Sequence, residues 1–366
     1  IDALLIDEAH EYKHLGFATA MQRGVKGVDP SPSKKSQGVY LKTQAVLEKN
    51  NGRNVVFATG TPISNTAAEI WTFMRYLMPE DTMKEYGIYY FDDFVRNFGN
   101  IQQMLEFTTS GKFKESNRFA GYVNLPELVR IWSGVSDTVL TKEAGGVNDK
   151  IPAIEGGKAQ DIYLPQTRAL RGIMKFVKAQ LDEYEKLSGK EKKENSHIPL
   201  TMYGIAKAAA VDARLVVDDA EDDPNSKTNE AVRQTLRSLK ETAKYKGTVA
   251  IFADNYQNKA TGFNIYDDIR EKLIAGGVPA DEVVVIRSGM TIKKKLEIFD
   301  KVNSGQIRVV LGSTFTLGTG VNIQERLHTL IHLDAPNRPM DYTQRNGRIL
   351  RPVSYTHLRA HETRRH

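Results

Sequence analysis

Residues 248–313, TVAIFADNYQNKATGFNIYDDIREKLIAGGVPADEVVVIRSGMTIKKKLEIFDKVNSGQIRVVLGS, decide the fold. Three apolar runs, TVAIFAD (248–254), EVVVIR (282–287) and IRVVLGS (307–313), carry no polar alternation, the pattern of strands buried on both faces. Between them IYDDIREKLIAGG (265–277) and IKKKLEIFDKVNSG (292–305) have helical spacing and stop at glycine. A helix over Asn229–Tyr245 precedes the set, and a fourth strand, TLIHLD (329–334), follows it. Strands separated by helices predict βαβ crossovers and a parallel sheet.

The same alternation recurs at the other end of the chain, where ALLID (3–7) and VVFATG (55–60) read as buried strands. A polar loop from Gly24 to Ser36 and an amphipathic helix through Tyr40, Val46 and Leu47 lie between them. A further helix is expected from Asn65, its cap, to Leu77, with Ile70, Phe73, Met74 and Leu77 on one stripe. Residues 80–150 show short helical patterns, FDDFVRNF, IQQMLEF and LPELVRIW, with little strand signal. Helices continue over 166–217, broken by the charged run GKEKKENS (189–196), which reads as a solvated loop. The acidic, turn-rich DDAEDDPNS (218–226) is expected to mark a domain boundary. The expected division is 1–150, the C-terminal part of a first α/β domain with a helical insertion; 151–225, a helical linker; and 226–351, a second α/β domain.

Composition narrows the function. No apolar run approaches the ~20 residues of a membrane span, and the absence of cysteine excludes disulfides and thiolate metal sites while fitting a reducing cytoplasm. The eight histidines are scattered without metal-ligand spacing. A net charge of +6 suits a polyanionic partner, although two of those charges fall in residues 352–366. That tail, PVSYTHLRAHETRRH, lacks apolar periodicity, looks like the translation of a sequencing-library adapter, and is expected to be read-through rather than native chain. The opening IDALLIDEAH has neither an initiator Met nor a basic leader, so the sequence is expected to start in mid-domain.

Four motifs carry chemistry. Asp7, Glu8, Ala9 and His10 end the first strand; a carboxylate there can hold magnesium through water, and its neighbour can activate a water for attack. FATGTPISN (57–65) places Thr59, Gly60 and Thr61 between a strand and a helix. GSTFTLGTGVNIQ (312–324) follows a strand with small hydroxyl and glycine residues, Ser313, Thr314, Gly318 and Gly320 among them, that allow close approach to phosphate. In QRNGRILR (344–351), Gln344, Arg348 and Arg351 stand at i, i+4 and i+7, one face of a helix, where a guanidinium can neutralise a transferring phosphoryl group.

In this order, within two α/β blocks, the motifs resemble motifs II, III, V and VI of superfamily 2 DEAH-box helicases. TGTPISN and the insertion look like the Swi/Snf branch. GSTFTLGTGVNIQERLHTLIHLDAPNRPMDYTQRNGRILR and VVFATGTPISN look like the helicase part of large helicase-methyltransferase proteins of bacterial mobile elements. The resemblance spans residues 1–351 and implies two RecA-like domains, the first truncated at its N-terminus, using ATP and Mg2+ to move along nucleic acid, most simply double-stranded DNA. It makes Asp7 the magnesium-associated acid and Glu8 the base, with His10, Thr59, Gly60 and Thr61 coupling the nucleotide to the nucleic acid. Ser313, Thr314 and Gly318 would lie near the nucleic-acid backbone, Gly320 near the nucleotide cleft, and Gln344, Arg348 and Arg351 on the nucleotide, the arginines as fingers. Two departures stand out: no G-x-x-x-x-G-K-[ST] occurs, and Pro352-Val353 stands where the family has Gln-Gly. The 366 residues alone are therefore expected to bind ATP weakly without turning it over. The alternatives from other classes are a non-hydrolysing nucleic-acid-binding scaffold and a nuclease or methyltransferase domain.

Overall fold

A computed structural model describes residues 1–350 except 23, 64, 65, 67, 108–112, 140–150 and 318–320. Gly318, Gly320, Arg351 and the tail 352–366 lie outside the described residues. The chain divides into two compact units, Ile1–Val139 and Leu140–His366.

In the first unit, strands β1 (Leu4–Ile6) and β3 (Val55–Phe57) pair in parallel, Leu5 opposite Val56. Helix α1 (Lys34–Lys49) connects them, its N-terminus capped by the Ser33 side chain accepting from the Ser36 N–H. After β3, helix α2 (Glu69–Leu77) begins at Glu69; the expected cap, Asn65, lies outside the described residues. Short α3 (Glu80–Glu85) follows, then α4 (Phe91–Phe98), whose Phe91, Phe94, Val95 and Phe98 are all buried. With α5 (Leu125–Ser133) these helices close an aromatic core around Trp71, Phe91, Phe94 and Phe119.

The expected helical insertion is not all helix. IQQMLEF is not helical: strands β4 (Gly99–Phe107) and β5 (Phe113–Tyr122) form an antiparallel hairpin, and β5 also pairs in parallel with β2 (Val25–Lys26). The insertion is therefore mixed. Its partly exposed hairpin has Ile101, Met104 and Leu105 at least 40% exposed, so a helix-like spacing of apolar residues carried no burial information. Cross-strand pairing supplies the restraint instead. Lys26 and Arg118 both reach Glu106, and their hydrogen bonds hold its carboxyl down to about 2.

The second unit opens with α6 (Arg168–Lys186) and α8 (Ile198–Ala209), packed through Ile173, Val177, Met202 and Ala209. GKEKKENS is not all loop: Gly189–Glu194 forms a short exposed helix, α7, because Ser188 and Glu191 make a reciprocal capping box. A four-stranded parallel sheet follows, ordered β7 (Val283–Val285), β8 (Val309–Gly312), β6 (Thr248–Phe252), β9 (Leu327–His332). Its central strand explains the unbroken apolar run. Val249 and Ile251 face one core with α9 (Lys227–Glu241) and α10 (Ile265–Ala275), while Ala250 and Phe252 face another with α11 (Ile292–Ser304). The acidic segment 218–226 is fastened to α10: Asp222 pairs with Arg214 and Lys272, which both also meet Asp268. The architecture is α/β, with a parallel sheet in each unit and an insertion following the first in the chain.

Candidate functional site

At the C-terminal end of β1 the backbone turns sharply. Glu8 sits in the left-handed region (φ 50, ψ 45) and opens a 3-10 turn over Ala9–Tyr12, a conformation costing a non-glycine residue about 1–2 kcal/mol. The turn is pinned on both sides: the Glu8 N–H donates to Asp7 Oδ1 at 2.8 Å, and the Ala9 N–H to the Ala58 carbonyl at 3.0 Å. The result brings two predicted motifs together. His10, 1% exposed, has Nδ1 3.0 Å from Thr59 Oγ1, 3.4 Å from Thr61 Oγ1 and 3.4 Å from Glu8 Oε2. The Thr61 N–H in turn donates to Thr59 Oγ1 at 3.1 Å. Gly60 is exposed in the same turn. The His10 Nε2 is buried without a hydrogen-bond partner. The imidazole thus bridges the acidic strand end and the Thr-Gly-Thr turn.

Magnesium fits this site only in one way. Among the described residues no cluster of three or more His, Asp or Glu could enclose a metal. Asp7 is exposed, with one oxygen on the Glu8 N–H and the other uncommitted. A single exposed carboxylate suits an ion that keeps most of its water.

In the second unit a buried polar knot joins the ends of β6 and β9 to the turn after β8. Its centre is Arg345, on α13 (Pro339–Asn346) and fully buried. The guanidinium donates to Asp254 Oδ2 (2.7 Å), Asp334 Oδ1 (3.2 Å), the Asp334 carbonyl (2.9 Å) and Thr314 Oγ1 (2.8 Å). Thr314 donates its hydroxyl to Asp254 at 2.9 Å, and Asp334 accepts from the Asp254 and Asn255 N–H groups at 2.8 Å each. His332 completes the ring: Nε2 lies 2.9 Å from Asn346 Oδ1, and Nδ1 is 3.4 Å from the Arg345 guanidinium. That geometry requires a neutral imidazole, Nε2–H donating and Nδ1 accepting. Burial pushes the His332 pKa below its ordinary value, with Arg345 adding to the shift.

Several predicted residues stand differently from their expected poses. Gln344 and Arg348 do not share one helical face, because α13 ends at Asn346 with Gly347 as its cap and residues 347–350 continue in turns; Arg351 lies outside the described residues. The Gln344 amide makes no hydrogen bond among the described residues, whereas Arg348 is 4% exposed and donates to the carbonyls of Val321 and Gln344. The Thr314 hydroxyl is committed inward, and Ser313 Oγ exchanges contacts with Thr316. Arg345, Asp254 and Asp334 were missed by the sequence reading. Their available signal was polar residues flanking apolar strand ends, in FAD, HLD and QRN.

Two predictions follow from this packing. A Cβ on Gly312 would lie 2.7 Å from both Leu317 Cγ and Thr316 Oγ1. Gly312→Ala should therefore cost about 1–3 kcal/mol by overpacking, read as a lowered urea midpoint; an unchanged midpoint refutes it. The second concerns pH. His332 has its pKa lowered chiefly by burial. The unfolded chain then binds a proton that the native state rejects, so its contribution is fully present above about 6.5 and falls as pH drops below it. The denaturation midpoint should be lower at pH 5.5 than at 7.5, and His332→Gln should flatten the difference. An equal or higher midpoint at pH 5.5 contradicts the assignment.

Comparison with known proteins agrees with this layout. Residues 1–139 match the family described as "probable helicase domain", and residues 229–353 match "helicase conserved C-terminal domain". Defense against restriction protein B of Escherichia phage P1 is 26% identical over 129 residues; the match covers 35% of this chain and 6% of that protein. Among solved structures, the Sulfolobus solfataricus SWI2/SNF2 ATPase core in complex with dsDNA aligns over 90% of this chain and 57% of its own, at 16% identity and a TM-score of 0.35. The Pyrococcus furiosus Hef helicase domain aligns over 50% of this chain and 33% of its own, at 13% identity and a TM-score of 0.26. Two helicase-domain families thus match the chain in succession, one over residues 1–139 and the other over 229–353.

Proposed function

We propose that this chain is the core of an ATP-dependent translocase of the Swi/Snf-like branch, acting on double-stranded DNA in the bacterial cytoplasm. The observation that carries the reading is the junction of Glu8, His10, Thr59 and Thr61, which ties a candidate water-activating carboxylate to the turn entering the following helix. Asp7 would hold magnesium through water, and Glu8 would orient the attacking water and take its proton. The bound ion supplies charge neutralisation at the phosphates.

Gln344, Arg348 and Arg351, with Gly320 nearby, would contribute from the second unit. Arg348 must leave the Val321 carbonyl to meet a phosphate. With the Ser313 and Thr314 hydroxyls engaged inside the loop, contact with a nucleic-acid backbone falls to Gly318 and to main-chain groups. A further part of the reading, a fused methyltransferase in a larger mobile-element protein, rests on the motif wording of FATGTPISN and GSTFTLGTGVNIQ.

The test is phosphate release by the full-length protein with and without duplex DNA. Duplex should stimulate release, and the stimulation should fade as salt rises, because backbone contacts release counterions. Release indifferent to nucleic acid overturns the reading. The 366-residue chain, whose sequence holds no G-x-x-x-x-G-K-[ST], should release no phosphate on its own; steady release from it overturns that assignment.

A further inference from the structure

The first unit contains a pocket that the motor reading does not use. It is a cavity of about 230 Å³ between α1, α2 and the segment leading into α4, smaller than the range typical of drug-sized ligands and suited to one flat ring system. Half of its lining residues are aromatic, among them Tyr40 from α1, Trp71 from α2, and the adjacent Tyr89 and Tyr90. The last two are 59% and 69% exposed, an unusual position for neighbouring large aromatics with no core to fill.

Three polar groups accompany the rings. Gln44 lines the pocket, and its side-chain amide has no hydrogen-bond partner among the described residues. Trp71 is 3% exposed, and its indole Nε1 is buried without a partner. The Arg75 guanidinium lies 5.5 Å from the centre of the Tyr40 ring, extending that flat surface and adding positive charge. A cationic guest would be repelled by Arg75. Glu80, the acidic group in the lining, is already paired with Lys84 at 2.9 Å.

We propose that this pocket binds an unpaired nucleobase, stacked on the tyrosines and read at its edge by Gln44, with Arg75 placed for the attached phosphate. A neutral heterocycle offers faces for stacking and an edge that a glutamine amide can pair with bidentately. The base could come from a free nucleotide or from a looped-out strand, since the chemistry is the same. The inference goes beyond the motor reading and does not require ATP hydrolysis.

The protein reports on itself. It has two tryptophans, so Trp132→Phe leaves Trp71 as the single indole fluorophore. In that 366-residue chain, adenosine monophosphate should quench the emission saturably, and ribose 5-phosphate should not. Quenching by a single-stranded oligonucleotide as well identifies a strand as the source; quenching by the mononucleotide alone identifies a free nucleotide. Tyr89→Ala with Tyr90→Ala should weaken binding at least tenfold, and Gln44→Ala should narrow the preference between bases. The replaced side chains lie at the surface or pocket wall, and an unchanged circular dichroism spectrum verifies the fold. The proposal is overturned by no quenching from any base, by equal quenching from ribose 5-phosphate, by quenching only from an aromatic peptide, or by full affinity after removal of both tyrosines.

Discussion

Replacing Arg345 with alanine is expected to destabilise the second unit by about 3–5 kcal/mol, the usual cost of breaking a buried ion pair by removing one partner. The reason lies in what remains behind. Asp334 is 4% exposed and still accepts from the N–H groups of Asp254 and Asn255. Without the guanidinium its carbonyl and Oδ1 lose a donor, as does Thr314 Oγ1, and Asp254 keeps only the two Thr314 donors. Lysine would not restore them, because a single ammonium cannot reproduce the fork of donors that reaches four acceptors in different directions. Arg345→Lys should therefore recover less than half of the loss. Urea denaturation followed by far-UV circular dichroism, with hydrogen exchange at β6, gives both numbers. A loss below about 1 kcal/mol for the alanine variant, within the range of exposed pairs, would show that the knot is not holding the strand ends together.

That knot also marks where sequence reading stopped. The parallel strands were legible because Val249, Ala250, Ile251 and Phe252 are all buried, and burial on both faces leaves an unbroken apolar run. Helices α9, α10 and α11 were legible through their periodicity and their stops. The hairpin was not, because exposed strands paired mainly to each other leave no one-sided apolar pattern, and IQQMLEF reads equally well as a helix. Arg345 is not legible as the buried arginine, because the i, i+4, i+7 spacing of Gln344, Arg348 and Arg351 suggests a helix running past Gly347. The helix instead ends there, which turns Arg348 toward Val321. Residue type located the chemistry at each strand end, but the partners of a buried charge depend on which strand ends are neighbours. Only the order β8-β6-β9 brings Thr314, Asp254 and Asp334 within reach of one arginine.

Glu8→Gln should lower phosphate release by the full-length protein by about 10²–10⁴-fold, the contribution of a positioned general base, with little change in the KM for ATP. Glutamine keeps the shape of the side chain and the turn. The contacts that force Glu8 into its left-handed conformation are made by the backbone of Glu8 and Ala9, not by the carboxylate. What is lost is the ability to accept a proton, so the effect should fall on kcat. A comparison at His10 separates chemistry from coupling. His10→Ala removes the bridge to Thr59 and Thr61 while leaving Glu8 in place. It should spare much of the basal rate and lose most of the stimulation by duplex. Basal release within threefold of the parent after Glu8→Gln would remove the carboxylate from the reaction. Undiminished duplex stimulation after His10→Ala would show that the imidazole fills space beneath the turn and carries no signal between the two motifs it joins.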